Sequence, residues 1–482
     1  MLFRFLLFAV LVALWWGALW FMLPVGWLQG AMPAFIAIHL APPLLAVAAW
    51  WMGKRAWIWR AKRAEKRAEE VEDAGKKAAE EAAKVAHHEA QELRRVHVDC
   101  RAVWASAIKV PDWFGDGAGQ CFFLEQNPSA IQGTGREAAL ASSLKALFEN
   151  AFSQCEACVW LPVAFAADDP MYQVGAEQAW HQAVKEKSIE HFPQRPDFVE
   201  LPGDGEIPDR LIALFEQVPD LPAVILVGMD SPLAEAPELE ISDPQIRPGH
   251  AVVAMLLSRP GLTAPAEAEP VSSEDGADSM TPYWERENSN DADAPQWQRI
   301  PPPLRSFLWN YAPFATLHRT STVVDLEPKR DSVLIRQIRE TILEACINAG
   351  LRDLPFEAQE TAKDGKAQAK PVEIPAEPEP LDLGWFVHNC ALPIRLGALS
   401  SALRDHGCEI SPLKEASHLD KEHGNVGAVR DALMLAEALI RVEQLQKPVL
   451  TAGFNNDNSL CIGLICPFSE PIPTEHAPTE PA

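Results

Sequence analysis

The residues best suited to acid–base chemistry stand together in Ser417–Ala428 (SHLDKEHGNVGA). His423 can act there as a lone acid or base, because an imidazole titrates near neutral pH, and Asn425 stands two residues on. An ordinary surface or hydrogen-bonded histidine is the plainer alternative. Gly424–Ala428 could also hold an anion, since amides at a helix start point outward. It has no Walker lysine and no full dinucleotide fingerprint, so a tight turn packing a helix onto a sheet is favoured. Asp230-Ser231-Pro232 follow a strand end, where α/β sites usually sit. No acid or base partner for them is identifiable in sequence, and they read as a loop start.

The nine cysteines are scattered through apolar segments without framework spacing, which reads as buried free thiols in a reducing compartment. Cys155-x-x-Cys158 could be redox-active or half of a zinc site. A zinc site needs a second pair of ligands, which the sequence lacks. A redox pair wants a helix start, whereas this one leads into a strand, so it reads as core. His87 and His88 are adjacent and point to different sides of a helix, which excludes a shared metal. No cofactor and no metal site are expected.

The elements that must position these residues repeat. Ile207–Val218, Leu221–Ser231 and Gly249–Pro260 read as helix, strand and strand. Gly427–Ile440, Lys447–Phe454 and Ser459–Pro467 repeat that order, and such a duplication governs the whole fold. Ala138–Ala151 reads as an amphipathic helix followed by an apolar strand, Ala157–Ala166. Val333–Asn348 and Leu383–Cys390 echo them. Short continuous apolar strands separated by helices favour a buried, largely parallel sheet. Thr263–Pro295 and Phe356–Pro380 are crowded with Pro, Ala and charged residues and read as solvated loops. Trp284, Trp297 and Trp309 near the first of these could anchor a partner or cover the core.

The N-terminal stretch is of another kind. Residues 5–23 form an uncharged apolar run long enough to cross a bilayer, and 34–52 form a second candidate interrupted by His39, Pro42 and Pro43. The basic cluster from Lys54 to Arg67 predicts a two-pass hairpin in a lipid bilayer, with the rest of the chain cytoplasmic. From Arg60 to Val98 the chain lacks proline and is rich in Ala, Glu, Lys and Arg, which predicts a helical stalk. Ala64, Ala68, Val71, Gly75, Ala78, Ala82 and Val85 follow a coiled-coil spacing. The stalk is then either an oligomerising coil that makes a homo-oligomer or a solvated spacer. With a net charge of −25 over 482 residues, nucleic-acid binding, which needs a basic surface, is excluded. The organisation expected is a membrane hairpin (1–56), a helical stalk (57–99), a first half (100–262), an acidic linker (263–300), a second half (301–467, with an insertion at 356–380) and a tail (468–482).

From about Cys100 to Pro467 the repeated halves resemble the thiolase-like fold of the β-ketoacyl synthases. The resemblance implies an α/β fold: a duplicated thiolase-like α-β-α-β-α domain with a five-stranded layer in each half, about a pseudo-twofold. It also implies a cysteine at the start of the helix before AVILVGMDS, where helix-end amides lower the thiol pKa and stabilise an oxyanion. That helix start reads Gly203-Asp204-Gly205-Glu206-Ile207-Pro208 and has no cysteine. Cys158 lies too far upstream. The family's two second-half histidines are answered by His418 and His423 in the wrong order, and its Asn-x-Gly-His by Asn425-Val426-Gly427-Ala428. A normal Claisen condensation is expected to fail.

The signatures DLPAVILVGMDSPL, GHAVVAMLLSRPG, WFVHN and KPVL look like those of type VI secretion adapters that assist lipase effectors. This narrower resemblance implies a membrane-anchored, non-catalytic scaffold that receives an effector and hands it to the secretion machinery. The alternative is an acyl-thioester-processing enzyme that uses His423 and Asn425 without a cysteine nucleophile. A third reading is a structural membrane protein that oligomerises through the stalk.

Overall fold

The computed structural model describes residues 2–22, 32–115, 119–167, 169–189, 192–236, 247–262, 311–324, 330–355, 380–412, 414–455 and 458–469, with 297, 300, 304, 308 and 326. Except for 297, 300, 380, 468 and 469, the linker at 263–300, the insertion at 356–380 and the tail at 468–482 lie outside the described residues, as do Trp284 and Trp309.

The chain divides by its contacts into Met1–His87 and His88–Ala482. The first unit holds helix α1 (Leu2–Met22) and most of α2 (Met32–Arg94). Among the described residues no helix is long and apolar enough to cross a membrane. The two expected membrane spans therefore gain no support from the structure. The stretch at 34–52 is no separate arm. It opens a 63-residue helix that runs through Pro42 and Pro43 into the charged stalk. The stalk seam is exposed along the chain, and Lys66–Glu70, Glu72–Lys76 and Glu80–Lys84 pair one turn apart. Such pairs support a solvated single helix, and the coiled coil gains no support.

The second unit runs β1 (His97–Ala107), β2 (Cys121–Glu125), α3 (Arg136–Gln154), β3 (Val163–Phe165), α4 (Pro170–Glu186), β4 (Phe198–Val199), α5 (Ile207–Gln217), β5 (Ala223–Asp230) and β6 (Ala251–Ser258). It continues with β7 (Ala315–His318), β8 (Ser321–Val323), α6 (Asp331–Asn348), β9 (Trp385–His388), α7 (Pro393–Asp405), β10 (Ala416–His418), α8 (Leu419–His423), α9 (Arg430–Leu445), β11 (Val449–Phe454) and β12 (Leu460–Pro467).

The sheet order is β10-β9-β11-β12-β7-β1-β6-β5-β3-β4, with β2 beside β1 and β8 beside β12. Read outward from the β1–β7 junction, the halves are β1-β6-β5-β3-β4 and β7-β12-β11-β9-β10, one order used twice. In each half the last strand in sequence is antiparallel to both its neighbours, and the outer three run parallel. The duplication expected from sequence is therefore present strand for strand. The largely parallel sheet is corrected to a mixed one. Asn455–Ser459 is too short for the crossover a parallel β11–β12 pair would require.

Alternation along the strands assigns the layers. Trp104, Ile225, Ala254 and Leu256 pack with α3 and α4 on one outer side. Val103, Leu226, Val253 and Met255 face the opposite way, onto α5 and α9, as do Val387, Val449 and Ile465 from the second half. Phe386, Leu450, Ile462 and Leu464 pack with α6 and α7 on the far side. The result is α-β-α-β-α, with α5 and α9 as the central layer of a thiolase-like arrangement. The middle helices must be buried nearly all round, and α9 is, since every residue from Ala432 to Val442 is buried, Glu437 and Arg441 included. The expected strand Ala157–Ala166 is a 3-10 turn at Glu156–Trp160 followed by the short β3. Short apolar runs do not separate the two conformations by pattern alone.

Candidate active site

The two central helices begin close to one another. Glu206 is the N-cap residue of α5, and Asp431 lies in the first turn of α9. Burial raises the Glu206 carboxyl above its ordinary range, and the charge of Asp431 raises it further. Burial likewise raises Asp431, while Arg430 opposes that rise. Asn455, just past the end of β11, donates from Nδ2 to Glu206 Oε1 at 3.5 Å. The first turn of α5 carries the amides of Ile207 and Asp209 without intrahelical partners, while Pro208 between them has no N–H to give. The site thus combines a half-buried carboxyl, a second carboxyl beside it and a set of amide dipoles.

One edge of the second half-sheet supplies further polar groups. His388 and His418 end the parallel strands β9 and β10 and are register partners, with ring centroids 4.8 Å apart. Burial pushes His388 down to about 4, helped by the charge of His418. His418 is lowered first by burial and then by Lys421. Both rings are therefore neutral at pH 7. Asn389 clamps the end of β11 by donating to Phe454 O at 3.1 Å and accepting from Phe454 N at 2.7 Å, which fixes the strand end that carries Asn455.

The structure does not use the residues singled out from sequence as a joint pair. His423 is buried at the end of α8, where its Nε2 lies 2.5 Å from Glu437 Oε1. Asn425 is exposed, and its Oδ1 accepts from Gly427 N at 3.0 Å. Its backbone accepts from Gly249 N and donates to Arg247 O, each at 2.8 Å. The Gly424–Ala428 segment is thus the tight turn that docks the α9 start on the first half. Asp230 Oδ2 accepts from Ala428 N at 2.8 Å. Gly427 has φ +63, and a Cβ there would meet the Asp230 carboxylate. Gly427→Ala is expected to cost about 1–3 kcal/mol, the usual cost of a strained left-handed residue, with the clash on top. Urea denaturation against wild type measures it.

The Asp230-Ser231 segment has the partners that sequence did not reveal. Ser231 Oγ lies 2.8 Å from His250 Nδ1, and Ser143 Oγ lies 2.9 Å from His250 Nε2. All three residues are buried, and Asp230 is taken up by Arg136, Ser231 N and Ala428 N. This serine–imidazole–serine chain has no acid behind the ring and no access, so it holds the fold. Burial pushes His250 down to about 4. The unfolded imidazole then takes a proton that the folded one refuses, so its contribution is intact above about 6.5 and is lost as pH falls towards 4. His250→Gln should flatten the pH dependence of stability by about 1.4 kcal/mol per pH unit in that window. Denaturant unfolding of both proteins at a series of pH values reads the difference.

The thiol of Cys461 hydrogen-bonds to the Glu206 carboxyl, and burial together with the charge of Glu206 pushes it well above the usual thiol range, so it offers no thiolate here. All nine cysteines are free, and all but Cys466 are buried. Cys155 and Cys158 bracket the 3-10 turn within the core, and Cys158 is raised well above the usual thiol range by the hydrogen bond with Cys155 and by burial.

No family model matches the chain, and no curated protein matches it. Among solved structures it is similar to OleA of Xanthomonas campestris with cerulenin bound, at 10% identity and TM-score 0.36, over 77% of this chain and 97% of that one. It is also similar to 3-oxoacyl-[acyl-carrier-protein] synthase III of Aquifex aeolicus VF5, at 11% identity and TM-score 0.35, over 77% and 99%. A third is the ishigamide ketosynthase/chain length factor, at 13% identity and TM-score 0.35, over 72% and 84%. The expectation that the chain is no enzyme is not upheld by these neighbours, whose likeness extends to the fold alone. The neighbours named as synthase and ketosynthase are enzymes. The start of α5 carries a carboxyl raised in pKa in place of a cysteine. The type VI adapter reading gains no support from any match.

Proposed function

We propose that the chain is an acyl-thioester-processing enzyme that works by general base catalysis at the start of α5. The observation that carries it is Glu206, a carboxyl raised by burial and by Asp431 at the N-terminus of a central helix. Raised carboxyls with an identifiable charge partner mark candidate sites. A carboxylate made more basic in this way takes the proton of a water molecule as the water oxygen attacks the thioester carbonyl. The α5 amides receive the charge that builds on the carbonyl oxygen. The C–S bond then breaks, and the thiolate leaves with the proton from Glu206, giving a free acid and a thiol. His423 and Asn425 take no part in this scheme. One is buried against Glu437 and the other closes a turn.

The test is release of free thiol from a panel of acyl-coenzyme A chain lengths by the full-length chain. Turnover of at least one member above the protein-free rate, lost in Glu206→Gln, supports the proposal. No turnover across the panel, or undiminished turnover in that variant, removes it.

A further inference from the structure

Away from Glu206, a second group of ionisable side chains converges between α8 and α9. Glu422, His423 and Glu437 each offer a ligand atom, and these atoms all lie within 4.8 Å of one another. His423 and Glu437 are fully buried, and Glu422 is half-buried. Among the described residues, Glu437 Oε2, Glu422 Oε2 and His423 Nδ1 have no hydrogen-bond partner. Buried polar atoms are nearly always paired, so three orphans at one place need an explanation.

Arg441, one turn further along α9, would be the obvious partner. Its guanidinium instead lies between two rings, 3.8 Å from the Trp113 centroid and 3.9 Å from that of Trp385. Its Nη1 donates to Gln444, and its Nε is itself without a partner. The arginine compensates charge from a distance and leaves the carboxylate oxygens open.

We propose that Glu422, His423 and Glu437 form a binding site for a divalent transition cation of the zinc class. Two carboxylate oxygens and one imidazole nitrogen are a donor set that such borderline ions accept, with the fourth position left to water. An ion with bonds of about 2.1 Å holds tetrahedral donors about 3.4 Å apart. The 2.5 Å contact between His423 Nε2 and Glu437 Oε1 therefore opens by about 1 Å, and no pair of the three donors starts further apart than 4.8 Å. The frame suits this. Glu437 is fixed in the middle of a buried helix, and Phe123 stacks on the His423 ring at 6.2 Å. The half-exposed Glu422 gives the ion its way in. Binding here does not depend on the Glu206 chemistry, so either proposal can fail without the other.

The full-length chain, stripped with EDTA and dialysed, is titrated with zinc chloride by calorimetry, and the zinc-loaded sample is measured by X-ray absorption at the zinc edge. One zinc per chain is expected, with nitrogen and oxygen neighbours only. Glu422→Gln, at a half-exposed position that leaves the core intact, should weaken binding by more than the roughly 10–100-fold that an outer-shell partner costs. Failure to bind zinc, sulfur among its neighbours, or equal affinity in Glu422→Gln would each overturn the proposal.

Discussion

Replacing Glu206 with glutamine should lower the rate of thioester cleavage by about 100-fold to 10,000-fold, the span a positioned general base contributes. The amide keeps the shape of the side chain and its contact with Asn455 but cannot take a proton. The pH profile separates this from a structural effect. With Glu206 as the base, the wild-type rate climbs with pH through a carboxyl pKa held above its ordinary value, and the variant loses that limb.

Asp431→Asn removes the neighbouring charge that helps to hold the Glu206 carboxyl up. The same limb should therefore move towards lower pH with its height preserved. Stability should change in the opposite sense to activity. A carboxyl whose folded pKa is raised contributes most when protonated, below its unfolded pKa, and loses that contribution as pH rises through the folded value. At neutral pH its ionised form is the unfavourable one to bury. Glu206→Gln should thus be neutral or mildly stabilising while activity collapses, the usual pattern where a site is kept at some cost to the fold. A variant that loses activity and stability together would place Glu206 in the fold and not in the chemistry.

What the sequence disclosed of this arrangement follows from the range over which each signal acts. Leu450–Phe454 and Leu460–Ile465 are continuous apolar runs separated by a polar turn, and both fold as the strands they resemble. The repeat of helix, strand and strand was readable because each copy is local. Mixed pairing was not, since the antiparallel placement of β6 between β1 and β5 depends on β1, which comes far earlier in the chain. The site was hidden for the same reason. Glu206 belongs to one half and Asp431 to the other, and only the shared central layer brings their helix starts together. His250 gave no sign of its serines, which come from α3 and from the end of β5. His423 attracted attention by residue type and by the resemblance, while its partner Glu437 sits on the next long helix, within a run that reads as core. The apolar stretches near the N-terminus were legible as helices. Whether such a helix ends or continues into a charged one depends on cues that Pro42 and Pro43 suggested and the structure did not follow.

Leucine in place of His423 should destabilise the second unit by about 3–5 kcal/mol, measured in EDTA so that no metal contributes. The ring removed is the one hydrogen-bonding partner of Glu437, whose side chain has no exposure to water. Its other oxygen is already without a partner, and Arg441 is turned towards its tryptophans. A carboxylate left in that position must either stay charged in an apolar surrounding or take up a proton, and both are costly. Glu437→Leu alone should cost less. It leaves behind an imidazole stacked on Phe123, a smaller desolvation burden than a lone carboxylate. The double variant His423→Leu/Glu437→Leu should recover most of the loss, because removing both partners abolishes the unpaired charge and adds apolar contact with Phe123. The cycle therefore predicts strong non-additivity, with the double variant more stable than His423→Leu alone. Additive losses would mean that the two side chains act separately, and the short contact between them would then hold nothing together.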